Sequence, residues 1–123
     1  MPSTVATGEI RYVQIPAADI DASARFYATV FGWAIRTRAD GHVAFDDTSG
    51  HVSGTWVLDR APAREPGLLT YIKVDSVEEA LERIVEAGGE VVSGSTPQGA
   101  GEAVAVFRDP AGNVLGIFHE GRT

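Results

Sequence analysis

The sequence predicts an α+β domain made of two βαβββ modules in tandem, and three observations carry that expectation. Asp19-Ile20-Asp21-Ala22-Ser23-Ala24 running to Phe31-Gly32-Trp33 is echoed by Asp75-Ser76-Val77-Glu78-Glu79-Ala80 running to Ala87-Gly88-Gly89. Each echo follows a short β-type run, Tyr12 to Ile15 and then Leu69 to Val74, and each precedes several more short strands. A chain of 123 residues makes one domain that buries about 65–70% of its unfolded surface, but neither half is large enough to bury a core alone. The expected division is a single domain over 1–123, with modules at 9–58 and 68–119 and a linker at 59–67.

The first helix opens at Asp19, an N-cap with Asp21 in the first turn, and shows Ile20, Ala24, Tyr27, Val30 and Phe31 on one stripe before Gly32 stops it. Strands are expected at Trp33–Arg38, His42–Asp46 and Val52–Leu58. Arg60-Ala61-Pro62-Ala63-Arg64-Glu65-Pro66-Gly67 is polar and broken by proline, as a surface linker should be. The second helix has a capping box in Ser76 and Glu79, keeps the period through Val77, Ala80, Leu81, Ile84 and Val85, and ends at Gly88-Gly89. Strands at Glu90–Val92, Ala103–Arg108 and Val114–Phe118 complete the module.

Two loops resemble motifs without being them. Gly94-Ser95-Thr96-Pro97-Gln98-Gly99-Ala100-Gly101 is rich in glycine, but no Lys-Ser or Lys-Thr follows and no helix opens after it, so it is no phosphate cradle. It reads as a strand connection or a lid. Asp109-Pro110-Ala111-Gly112-Asn113 sets Pro early and Gly late in a turn between strands, which is hairpin chemistry.

Composition narrows the function classes. There are no cysteines, which removes disulfides, thiolate metal sites and Cys nucleophiles together. A net charge of −7 disfavours nucleic acid and anionic membranes; it favours solubility and would attract a cationic ligand. No run approaches the ~18 apolar residues of a membrane span. Met1 to Gly8 has neither a basic flank nor an apolar run, so no secretory signal is expected and the location is taken as cytoplasmic.

The doubled βαβββ pattern, the segment Asp19…Arg25-Phe26-Tyr27…Phe31-Gly32-Trp33, the second helix ending Gly88-Gly89, and Asp109-Pro110-Ala111-Gly112-Asn113 before the last strand resemble the vicinal oxygen chelate superfamily. That group includes glyoxalase I, extradiol dioxygenases, fosfomycin-resistance enzymes and bleomycin-resistance proteins. The resemblance runs from about Ile10 to His119 and implies curled sheets around a cavity, a dimer, and, in the enzymes, a divalent metal.

The same resemblance implies where ligands to that metal would stand. The first-strand His of the family falls seven residues before the helix-capping Asp19, at Tyr12; its counterpart in the second module falls at Leu69, or at Leu68 one residue over. The final Glu falls on Gly116, and the fourth strand offers Thr55, Trp56 and Val57. None is a plausible metal anchor, so the ordinary site, and with it any cofactor, is expected to be absent. His42, His51 and His119 would need three strand ends to converge, and they read as solvated histidines. No Ser–His–Asp spacing stands out, and no catalytic residue is assigned.

Alternation supplies the remaining candidates. Val13 and Ile15 suit the helix side of the first strand, which turns Tyr12 and Gln14 the other way. In the fifth strand Leu68, Ile72 and Val74 suit the helix side, leaving Leu69, Tyr71 and Lys73 on the cavity side; the last strand sends Val114, Gly116 and Phe118 there too. Trp56 is a further candidate although its strand is apolar on both faces, and Trp33 reads as packing. The expected ligand-binding set is Tyr12, Gln14, Trp56, Leu69, Tyr71, Gly116 and Phe118, an aromatic wall with a few hydrogen-bonding groups. Three functions are compatible with it: a metal-free binder of a small organic molecule, as bleomycin-resistance proteins are; a lyase or dioxygenase with a non-standard site; or an accessory homodimer without a ligand. The missing metal ligands and the aromatic face favour the first.

Overall fold

A computed structural model describes residues 6–121 of the chain. The opening segment read as lacking a secretory signal falls outside it through residue 5. The elements run β1 (Tyr12–Pro16), α1 (Ile20–Phe31), β2 (Ala34–Thr37), β3 (Val43–Asp46), β4 (Ser53–Val57), β5 (Tyr71–Lys73), α2 (Val77–Glu86), β6 (Glu90–Gly99), β7 (Glu102–Arg108) and β8 (Val114–His119). They form two four-stranded sheets of identical plan, β1-β4-β3-β2 and β5-β8-β7-β6, which do not close into a barrel. In each, the first strand lies parallel to the last and the others run antiparallel. The internal repeat is therefore a repeat of topology, as the echo predicts.

Both helices form where their caps dictate. The Asp19 carboxylate accepts from the Ala22 amide at 3.1 Å, and Gly32 ends α1 in the left-handed region, its N–H donating to Ala28. The Ser76 hydroxyl accepts from the Glu79 amide at 3.2 Å. At the far end of α2, Gly88 donates to Val85 and Gly89 to Ile84, the paired bonds of a Schellman stop. The buried stripe of α1 is wider than expected and takes in Ser23 and Phe26, whereas Val85 lies past the edge of the α2 stripe and is exposed.

One core serves both modules. Ile15, Phe26, Tyr27, Phe45 and Trp56 from the first join Val77, Ile84, Phe107 and Ile117 from the second, with Val13, Ile72 and Val74 packed against them. Phe26 meets Phe107 across the module boundary at 6.2 Å between centroids, and Trp33 stacks on Tyr27 and Phe45, the packing role expected of it. Hydrogen bonds fasten the same boundary. The Tyr27 hydroxyl donates to Asp109 at 2.7 Å, and Asn113 donates to the Pro16 carbonyl and accepts from the Ala63 amide of the linker. The Asp109–Asn113 hairpin is thus also the polar joint between the halves.

Two expectations about elements need correction. The glycine-rich segment is no loop: β6 continues through it to Gly99, paired to β7 with register shifts that absorb its irregular composition. The strands then turn on Ala100 and Gly101, both at positive φ as a two-residue hairpin requires. Leu68 does not lie under the helices; β5 starts only at Tyr71, and Leu68 is 91% exposed in the preceding coil.

Candidate functional site: the open faces of the two sheets

The helices cover one face of each sheet and leave the other open. On the first sheet, register fixes which residues look outward. Tyr12 pairs with Ser53 and Gln14 with Thr55 across the parallel β1–β4 ladder, and Thr55 in turn pairs with Ala44. Side chains of paired residues share a face, so Tyr12, Gln14, Ser53 and Thr55 stand together. Trp56 stands opposite them. It is paired with Ile15, buried in the core against Tyr27 and Phe45, and its indole N–H finds no partner among the described residues. The expectation that Trp56 joins the ligand-binding set does not fit this position; a strand apolar on both sides conceals its own orientation, and only the pairing reveals it.

Chemistry on that face converges on Tyr12. Its hydroxyl lies 3.0 Å from Thr55 Oγ1. The Thr55 hydrogen bond, aided by Gln14 and Arg38 and opposed by desolvation, holds the Tyr12 hydroxyl below the ordinary tyrosine range. Arg60 of the linker donates to the Gln14 side-chain oxygen. Beside this group Arg36 is neutralised by Asp46 at 2.9 Å, and Ser53 bonds the same carboxylate at 2.6 Å. Neither Arg38 nor Arg60 was singled out in the sequence. A two-residue alternation from Arg36 could have indicated the first, but nothing local indicates that a linker arginine turns back to β1.

The second sheet is apolar where the first is polar. Tyr71 pairs with Gly116 and Lys73 with Phe118, while Phe118 pairs with Val104 of β7. A shallow hollow of ≈ 300 Å³ there is lined by Tyr71, Gln98, Glu102, Val104, Phe118 and His119. Gly116 does not leave this wall empty. A Cβ built on it would stand 2.4 Å from the Tyr71 ring, so the aromatic ring itself occupies the room that the glycine provides. Leu69 is half-exposed in the coil before β5, outside both ladders. Of the seven expected residues, then, Tyr12 and Gln14 meet on one sheet, Tyr71, Gly116 and Phe118 on the other, Leu69 stands outside both ladders, and Trp56 is in the core.

The histidines divide by role. His42 sits 3.1 Å from Asp40 on an exposed turn, and His51 lies in the turn before β4. His119 is not merely solvated: its Nδ1 accepts from the Val77 amide at 2.9 Å, which satisfies a free donor at the start of α2 and leaves the proton on Nε2. Among the described residues no three His, Cys, Asp or Glu side chains come together as a metal site would require. Tyr12, Leu69 and Gly116, the positions where the resemblance would put metal ligands, offer a phenol, an alkyl chain and a hydrogen. The donor set present does not fit a divalent ion.

Residues 9–117 match the family model described as Glyoxalase/Bleomycin resistance protein/Dioxygenase superfamily. A glyoxylase-like domain-containing protein of Didymella fabae is 28% identical over 99 residues, covering 70% of this chain and 73% of its own. The anthracycline biosynthesis protein DnrV of Streptomyces peucetius is 28% identical over 136 residues, covering 94% of this chain but 48% of its own, so the chain spans about half of that relative. Among solved structures, TnmS3, an antibiotic binding protein from Streptomyces sp. CB03234, superposes with a TM-score of 0.69 at 24% identity, over 95% of this chain and 99% of that one. That is a likeness of fold.

Proposed function

The chain belongs to the glyoxalase/bleomycin resistance protein/dioxygenase superfamily, and from that membership we propose that it is a metal-free binding protein for a small organic molecule, held on the open faces of its two sheets. The observation that carries this reading is the pairing of exposed aromatic rings with an absent metal set. Tyr12 and Tyr71 stand 52% and 43% exposed on sheet faces, where burial against a ligand would be favourable, while the described residues bring no three metal-ligating side chains together. A fold shared with an antibiotic binding protein supports the same reading. We further propose a homodimer, since both sheets present edges and an uncovered face that a second copy would shield. A cytoplasmic location without nucleic-acid or membrane partners accords with the net charge of −7 and with the absence of any helix long and apolar enough to span a membrane among the described residues.

The test is a thermal-shift screen of aromatic natural products, run on chelator-treated protein. Compounds that raise the melting temperature of the parent chain should do so much less in Tyr71→Ala and Phe118→Ala. A set of hits indifferent to both substitutions and to Tyr12→Ala would place binding elsewhere. Turnover of a hemithioacetal or a catechol that returns with added divalent ion would replace the reading with an enzymatic one.

A further inference from the structure

The open face of the first sheet gathers the guanidinium groups of Arg38 and Arg60 on a chain whose net charge is −7. Tyr12, Gln14 and Thr55 adjoin there through the β1–β4 register, with the two hydroxyls 3.0 Å apart. Arg60 reaches Gln14 and makes no ion pair among the described residues. Arg38 follows Arg36 by two residues, is among the lesser causes that lower the Tyr12 hydroxyl, and among the described residues pairs with Asp40 at 3.4 Å, nearly half of whose side chain is exposed. Every one of these five side chains has a hydrogen-bond donor, and two carry full positive charge. Thr55 is buried and fixes the floor, while the Tyr12 ring stands free above it.

We infer that this cluster receives the acidic group of an aromatic organic anion, a carboxylate or sulfonate, whose ring lies against the ring of Tyr12. The inference rests on the reading that the open sheet faces hold an organic ligand, and it adds the ligand's charge. Guanidinium forks match oxyanions in shape and make the stronger, charge-assisted bonds, and hydroxyl and amide donors complete the coordination. The excess of seven negative charges argues for cations only at a distance. Screening confines that field to about 8 Å at physiological ionic strength, so the groups within hydrogen-bonding reach decide what stays bound.

Two fluorescent probes that differ by one sulfonate isolate the claim: 1-anilinonaphthalene-8-sulfonate and its uncharged parent, N-phenyl-1-naphthylamine. The sulfonate should bind the full chain about tenfold more tightly. Arg60→Gln and Arg38→Gln should each weaken it about three- to tenfold, with the neutral probe little changed. Tyr12→Ala should weaken both probes, and Asp40→Asn, which frees Arg38, should tighten the sulfonate. All four positions are exposed, and a thermal melt of each variant confirms that the fold persists. Equal affinity for the two probes, with both arginine variants silent, overturns the anion inference and leaves the ligand face standing. Binding of neither probe overturns the ligand face and this inference together.

Discussion

Asp109 accepts five hydrogen bonds through its carboxylate, from the amides of Ala111, Gly112 and Asn113, the side chain of Asn113, and the Tyr27 hydroxyl. Tyr27 is fully buried, and burial, with the neighbouring Asp109 charge next, pushes its hydroxyl well above the ordinary tyrosine range. The folded chain therefore keeps this proton where the unfolded chain, titrating at about 10, loses it. The resulting stability is complete below about pH 10 and falls as pH rises past it. Urea unfolding between about pH 9 and 11 should show this decline in the parent and a flatter one in Tyr27→Phe. At neutral pH, Tyr27→Phe should cost about 1–2 kcal/mol, because Asp109 loses one of its donors. An alkaline profile unchanged by the substitution would show that Tyr27 is not the group that titrates. The Asp109–Asn113 turn was legible from Pro and Gly placement alone, but its partner Tyr27 lies 82 positions away, and no local pattern announces a contact of that range.

The two helices were legible because their signals are local: a side chain that caps, a period that buries, a glycine that stops. The outer strands were legible for the same reason, to within a residue or two. β6 was not, since Gly94, Pro97 and Gly99 are residues that strands avoid, and only the ladder to β7, with its register shifts, makes a strand of this segment. The turn that follows leaves one mark of strain, for Ala100 sits at φ 50 where a Cβ is unfavourable. Ala100→Asn should raise stability by about 0.5–1 kcal/mol, because Asn tolerates the left-handed region far better in such a turn. A melting temperature that falls would show that the hairpin does not turn as described. The inward or outward sense of each strand was legible where one face was polar, as for Tyr12 and Gln14, and illegible for Trp56, whose neighbours Thr55 and Val57 give no clear alternation.

At the scale of the molecule, two modules of one plan share a single core and turn their remaining sheet faces outward. A second copy placed over those faces would enclose the aromatic sets, so sedimentation should give a species of about twice 13.0 kDa at micromolar concentration. A 13.0 kDa species under those conditions would refute the dimer. The family's enzymes were recognisable in the pattern of capped helices and the terminal turn, yet at Tyr12, Leu69 and Gly116 the chain carries residues that no divalent ion would choose. Binding as proposed needs aromatic surface and no metal. Calorimetric titration of the strongest thermal-shift hit, on protein dialysed against chelator and again after one equivalent of Zn²⁺, Mn²⁺ or Ni²⁺, separates the two requirements. The affinity should be the same in every titration and lost in Tyr71→Ala; binding that occurs only once the metal is restored would make the site metal-dependent after all.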